Sequence, residues 1–108
     1  MLYRGIARHY KAAKTLSWWA EDIDHAIQYC YGEDGATLLQ IDEIGLKIIE
    51  CPEAIGESWL AEAEIAEWAA SFLREVGADG FRRPDEAGIA ICLLPEAIKH
   101  KVRIYEQF

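Results

Sequence analysis

The sequence contains no run approaching the roughly 20 consecutive apolar residues of a membrane-spanning helix. Its first stretch, MLYRGIARHYKAAK, lacks the apolar centre of a secretory signal. Neither membrane association nor secretion is expected, and the chain reads as cytoplasmic. The three cysteines, Cys30, Cys51 and Cys92, are odd in number and show no C-x-x-C spacing. Each falls in an apolar pattern, so small buried thiols in a reducing compartment are expected rather than disulfides. His9, His25 and His100 are scattered with no i, i+4 pair, and no metal site is expected. The G-x-G-x-x-G, P-loop and G-x-S-x-G motifs are absent. Basic residues are scarce too: 11 Lys and Arg stand against 19 Asp and Glu, for a net charge of −8. Direct nucleic-acid binding, which needs a basic face to displace counterions, is therefore disfavoured.

What is present is enough for one domain over residues 1–108, since 52% of the 108 residues are hydrophobic and can form a core unaided by cross-links. Charge is unevenly spread. Residues 1–20 carry Arg4, Arg8, Lys11 and Lys14 and no acid, whereas residues 21–67 carry thirteen acids against Lys47 alone. Leu2 to Ile6 and Leu16 to Ala20 read as short strands separated by a basic loop or helical turn. Ile23, Ala26, Ile27, Cys30 and Tyr31 then mark one face of a helix, with Glu21, Asp22 and Asp24 crowding its first turn and Gly32 ending it. ATLLQIDE and LKIIEC are β-prone runs joined at Ile44-Gly45, as a hairpin or tight connection, and Pro52 closes the second.

The longest helix is expected from Ser58, as N-cap, to Val76, with Gly77 as its stop. Ala61, Ile65, Trp68, Ala69, Phe72, Leu73 and Val76 share its inward face, while Glu62, Glu64, Glu67, Arg74 and Glu75 face out. DGFRR reads as a short strand or turn. GIAICLL suits a strand covered on both faces, and VRIYEQF a final alternating strand. The order β-β-α-β-β-α-β-β-β gives an α+β domain with two main helices on a mixed or antiparallel sheet.

Two local features point to chemistry. Trp18 and Trp19 are adjacent on a strand and must leave by opposite faces, so they cannot share one core. Arg4, beside Gly5, offers a planar fork of donors where another group can come close to the backbone, a geometry suited to phosphate or carboxylate. An arginine that simply reaches water is the ordinary alternative.

LYRG followed by LSWWAEDIDHAIQYC resembles the opening of the small ADP-ribosyltransferase domains of bacteria and phages. ATLLQIDEIGLKIIEC is similar to the family's next strand pair, and GADGFRRPDEAGIAICLLPEAIK to its closing segment. The resemblance implies that Arg4, with Gly5 beside it, grips the pyrophosphate and ribose of NAD as substrate. Ser17 would prop the nicotinamide ribose and the arginine, and Trp18, Trp19 or Tyr29 would wall the nicotinamide. It also implies cleavage of the nicotinamide–ribose bond through an oxocarbenium-like state, assisted by a carboxylate. The family carries that carboxylate, in a Glu-x-Glu or Gln-x-Glu motif, near the last core strands. GIAICLL has none, so Asp85 and Glu86 are the nearest candidates, Glu96 and Glu106 are more remote, and Asp79 reads as structural. The implied activity is transfer of ADP-ribose to a macromolecular protein target, or hydrolysis of NAD. The acidic stretch 21–67 supports a different function, an acidic binding or inhibitor protein that keeps the fold without the chemistry and faces a basic-surfaced partner.

Overall fold

The computed structural model describes residues 1–6, 16–30, 35–52, 63–85 and 88–108. In these residues seven strands form one mixed sheet: β1 (Leu2–Ile6), β2 (Ser17–Ala20), β3 (Thr37–Ile41), β4 (Ile48–Glu50), β5 (Gly80–Asp85), β6 (Gly88–Leu93) and β7 (Arg103–Gln107). Their spatial order is β4-β5-β6-β2-β1-β3-β7, and every pairing is antiparallel except β4 with β5. Among the described residues three helices accompany them: α1 (Ile23–Ile27), continued by a 3-10 turn through Cys30, α2 (Ala63–Val76) and α3 (Pro95–Ile98). Among the described residues, no helix is long and apolar enough to cross a membrane.

Strand alternation sorts the core into layers. On one face Trp18, Phe81 and Cys92 meet Ala69, Ala70 and Leu73 of α2, with Ile49 and Cys51 at the margin. Farther along the same face, Ala20 and Leu38 pack with Ala26 and Cys30 under α1. The opposite face gathers Leu2, Trp19, Ile41, Ile91 and Leu93, closed by Ile98 of α3 and by Leu46. Both tryptophans therefore find packing, on opposite faces, with Trp19 only 3% exposed. Residues Ala90 to Leu94 are all buried, because β6 lies between β5 and β2 and is covered above and below. The uninterrupted apolar run GIAICLL reports that position.

The ends of the helices follow local rules. The Asp22 side chain accepts from the Asp24 N–H at 2.9 Å and so caps α1. At the end of α2, Gly77 turns at φ +72°; its N–H reaches the Arg74 carbonyl at 3.2 Å, and the Ala78 N–H reaches Leu73 at 2.9 Å. These two bonds and the Leu73–Ala78 apolar contact make a Schellman ending. The proposed cap at Ser58 and the stop at Gly32 lie outside the described residues.

Two sequence expectations need correction, and a third resolves between its alternatives. At Ile44-Gly45 the tight connection is found and the hairpin is not: β3 pairs with β1 and β7, while β4 crosses to lie parallel to β5. Asp42 opens a turn instead, its carboxylate accepting the Ile44 N–H at 3.0 Å, and Gly45 at φ +89° redirects the chain. Trp68 and Val76 do not point inward; Trp68 is 48% exposed and stacks on Phe72 at 6.0 Å. The small residues Ala69 and Ala70 let α2 approach the sheet closely, which turns the bulky flank of its apolar stripe outward. Finally, Pro95 starts a short helix, α3, between the last two strands, which the expected order of elements lacks.

That helix is tied to α2 by a two-pronged ion pair. Arg74 Nε donates to Glu96 Oε1 at 2.6 Å and its second nitrogen to Oε2 at 3.2 Å. The Arg74 guanidinium holds the Glu96 carboxyl below the usual carboxylate range. A lowered folded-state value contributes stability above the ordinary pKa of about 4.3, and that stability is lost as pH falls through the folded value. In urea titrations at neutral and acidic pH, Glu96→Gln should lower the midpoint slightly at pH 7. The difference from the wild type should vanish in acid; an equal deficit at both values would refute the linkage.

Candidate functional site

The sheet parts at its middle. β1 pairs with β3 along all of Leu2–Ile6, and β2 with β6 along all of Ser17–Ala20, yet β1 and β2 meet only at Tyr3 and Ala20. From Arg4 and Trp19 onward the two strands have separated. The backbone groups that face the opening need other partners. The Glu21 N–H bonds the Ile89 carbonyl, which sets the alternation of the β2–β6 ladder and turns the Trp18 carbonyl toward β1. Arg4 supplies the missing donor: one guanidinium nitrogen reaches that carbonyl at 2.9 Å. The arginine is half-buried and fixed in the split by this bond.

By alternation, Arg4 leaves β1 on the face of Leu2 and Leu39, the face that also carries Ser17 and Trp19. The Trp19 indole N–H donates to Ser17 Oγ at 2.8 Å, which satisfies a buried polar group and orients the hydroxyl. Gly5 and Trp18 belong to the other face. The group that comes close to Gly5 is α1: a Cβ there would overlap the Ala26 carbonyl oxygen and crowd Cys30 Sγ at 3.0 Å. Tyr29, 65% exposed, stands on the 3-10 turn above the same glycine, its ring tilted against His25 at 6.4 Å. Trp18 sets its ring edge-on to Phe81 at 6.2 Å. Arg4, Gly5, Ser17, Trp18, Trp19 and Tyr29 are thus gathered around β1 and β2, but divided between two faces.

The carboxylates are placed differently. Asp85 ends β5 opposite Gly88, whereas Trp18 lies opposite Cys92. Four residues of strand separate those positions, about 13 Å along the sheet. Glu86 lies outside the described residues. Asp79 and Glu96 sit near the Ser17 end, where Gly80 and Ser17 both face Leu93. Each is already engaged. The Asp79 carboxylate accepts the Lys47 N–H at 2.7 Å, its backbone N–H donates to the Lys47 carbonyl and its carbonyl accepts the Leu94 N–H, which clamps β4 to the β5–β6 pair. Its structural role, read from the sequence, follows from that clamp. Glu96 holds Arg74.

Cys92, directly opposite Trp18, is fully buried. Burial pushes its thiol far above the usual range, and the positive charge of Arg4 only partly opposes this. The parting of β1 and β2 has little signature in the sequence, since neither strand carries a residue that forbids pairing; its one signal is an arginine placed where a strand interior should be apolar. The arrangement offers a fixed cation and an oriented hydroxyl on one face, suited to an anionic, hydroxyl-rich ligand. No family model, no curated protein and no solved structure matches this chain.

Proposed function

We propose that this chain is an ADP-ribosyltransferase-like domain that takes NAD at the β1–β2 split, in a reducing, cytoplasmic setting. Arg4 meets the pyrophosphate and Ser17 the nicotinamide-side ribose. The observation that supports this reading is the Arg4 guanidinium, seated between two strands that have ceased to pair and held by the Trp18 carbonyl. A cation fixed before its ligand arrives loses little side-chain entropy on binding. The three cysteines are free thiols, in keeping with the proposed compartment. In the catalytic form of the reading, the nicotinamide–ribose bond breaks and ADP-ribose passes to a protein target or to water. Asp85 or Glu86 supplies the carboxylate.

The placement of acids favours a second reading beside it. Asp79 and Glu96, near Ser17, are committed to backbone and to Arg74, and Asp85 lies at the far end of its strand. The fold would then bind NAD or a basic-surfaced partner without cleaving anything. Titration calorimetry with NAD, on the wild type and on Arg4→Ala, tests the site. A charge-assisted bond of about 1.5–3 kcal/mol predicts a loss of roughly tenfold to a hundredfold in affinity. A wild type that does not bind NAD sinks the assignment. Binding without nicotinamide release on prolonged incubation selects the non-catalytic form.

A further inference from the structure

Among the described residues, β7 forms one edge of the sheet and is bonded to β3 alone. All five of its residues are exposed, and large apolar side chains dominate the stretch: Ile104 is 62% exposed, Tyr105 51%, and Val102 and Phe108 more than 40%. Edge strands usually carry charge or a bulge that deters a foreign strand. Here both devices are present, and together they make the edge complementary to itself.

The register with β3 slips between Leu38 and Leu39, which face Glu106 and Ile104 and leave Tyr105 as the extra residue. Without the slip, Arg103 and Glu106, three apart, would point to opposite faces. With it, Arg103 opposite Gln40 and Glu106 opposite Leu38 share one face, the face on which Tyr105 meets Tyr3 edge-on at 5.7 Å. Ile104, opposite Leu39, points to the other. A two-fold axis through Ile104, normal to the sheet, then sets two β7 strands antiparallel with every face matched. Ile104 meets its copy. Arg103 of each chain faces the bulged pair Tyr105 and Glu106 of the other, an opposite charge and an aromatic face. Val102 meets Gln107. Among the described residues, no ion pair within the chain engages Arg103 or Glu106.

We propose that the chain forms a symmetric dimer by antiparallel pairing of β7 with β7 of a second copy, joining the two sheets into one, with Arg103 and Glu106 exchanged across the axis. The partner is a second copy because the strand's charges and its bulge complement themselves under that one symmetry operation. The pairing leaves the β1–β2 split of each protomer untouched.

Sedimentation velocity over a concentration series, at physiological salt, tests this. The wild type should approach twice the protomer mass of 12.2 kDa. Arg103→Glu and Glu106→Arg should each weaken dimerisation roughly tenfold or more, since symmetry turns two attractive pairs into two repulsive ones. The double reversal, Arg103→Glu with Glu106→Arg, should restore it. Ile104→Lys, at an exposed position, should give a folded monomer by circular dichroism. A wild type that remains monomeric at sub-millimolar concentration overturns the proposal. A dimer indifferent to Ile104→Lys, or a double reversal that stays monomeric, overturns it equally.

Discussion

Replacing Gly5 by alanine is expected to destabilise the domain by at least about 2 kcal/mol, although alanine is ordinarily the better residue in a folded chain. The reason is what lies over β1 at that position. The new methyl group would occupy the place of the Ala26 carbonyl oxygen, and Cys30 Sγ and the Tyr29 Cβ stand at 3.0 and 3.1 Å. The first of these is backbone of α1, which cannot swing aside as a side chain can. The helix would have to lift from the sheet, opening the layer formed by Ala20, Ala26, Ala36 and Leu38. Urea unfolding gives the measurement, with Gly45→Ala as the contrast. At Gly45 no atom lies within 4 Å of a Cβ, and the cost comes only from φ +89°, about 1–2 kcal/mol. The same experiment separates two reasons for a glycine beside Arg4. A Gly5→Ala protein of normal stability that no longer binds NAD would mean that a ligand, rather than α1, needs the space.

The strands were legible because each carries its environment in its side chains. The β6 run GIAICLL shows burial on both faces, and β1 is bounded as its pattern suggests. Pairing was less legible. Ile44-Gly45 does mark a sharp turn, but a turn between two β-prone runs fixes neither their partner nor their direction. β4 finds β5 through the Asp79 clamp, a contact between residues 32 apart in the chain. The facing of α2 failed for a steric reason. Periodicity places Trp68 with Ala69 and Leu73 on one broad stripe, yet the sheet accepts the centre of that stripe where the side chains are smallest.

The candidate site was legible in part, and for a similar reason. Arg4 and Ser17 could be singled out as polar residues in strands, and the structure puts them on a common face. That Trp18 and Trp19 diverge follows from the period of a strand alone. Which indole shares the face of Arg4 could not follow, because it depends on the pairing of Tyr3 with Ala20. A one-residue change in that register would exchange the two tryptophans. The separation of Asp85 from Trp18 is likewise a matter of register along β6, invisible in the short sequence distance between Asp85 and Ile89.

The tryptophan next to the site leads to the second large effect. Phe81→Ala should cost about 3–5 kcal/mol, a large share of the 5–15 kcal/mol that holds a domain of this kind. Phe81 is fully buried at the centre of the layer beneath α2, paired with Ile49 on one side and Cys92 on the other. Its removal deletes the ring and leaves a void that the sheet cannot close, because its neighbours are held by the ladders of β4, β5 and β6. It also removes the edge contact that orients Trp18, whose carbonyl holds Arg4. The variant should therefore lose stability by urea titration and, under conditions where it remains folded, bind NAD more weakly. Phe81→Leu keeps most of the volume, so it should recover most of the stability while lacking the aromatic edge. If Phe81→Leu binds NAD as the wild type does, packing alone positions Trp18. A Phe81→Leu protein with near-normal stability and impaired binding makes the Trp18–Phe81 contact a positioning element of the split. Near-wild-type stability in Phe81→Ala would contradict the packing of α2 on this face, and with it the layer on which the Trp18 side of the site rests.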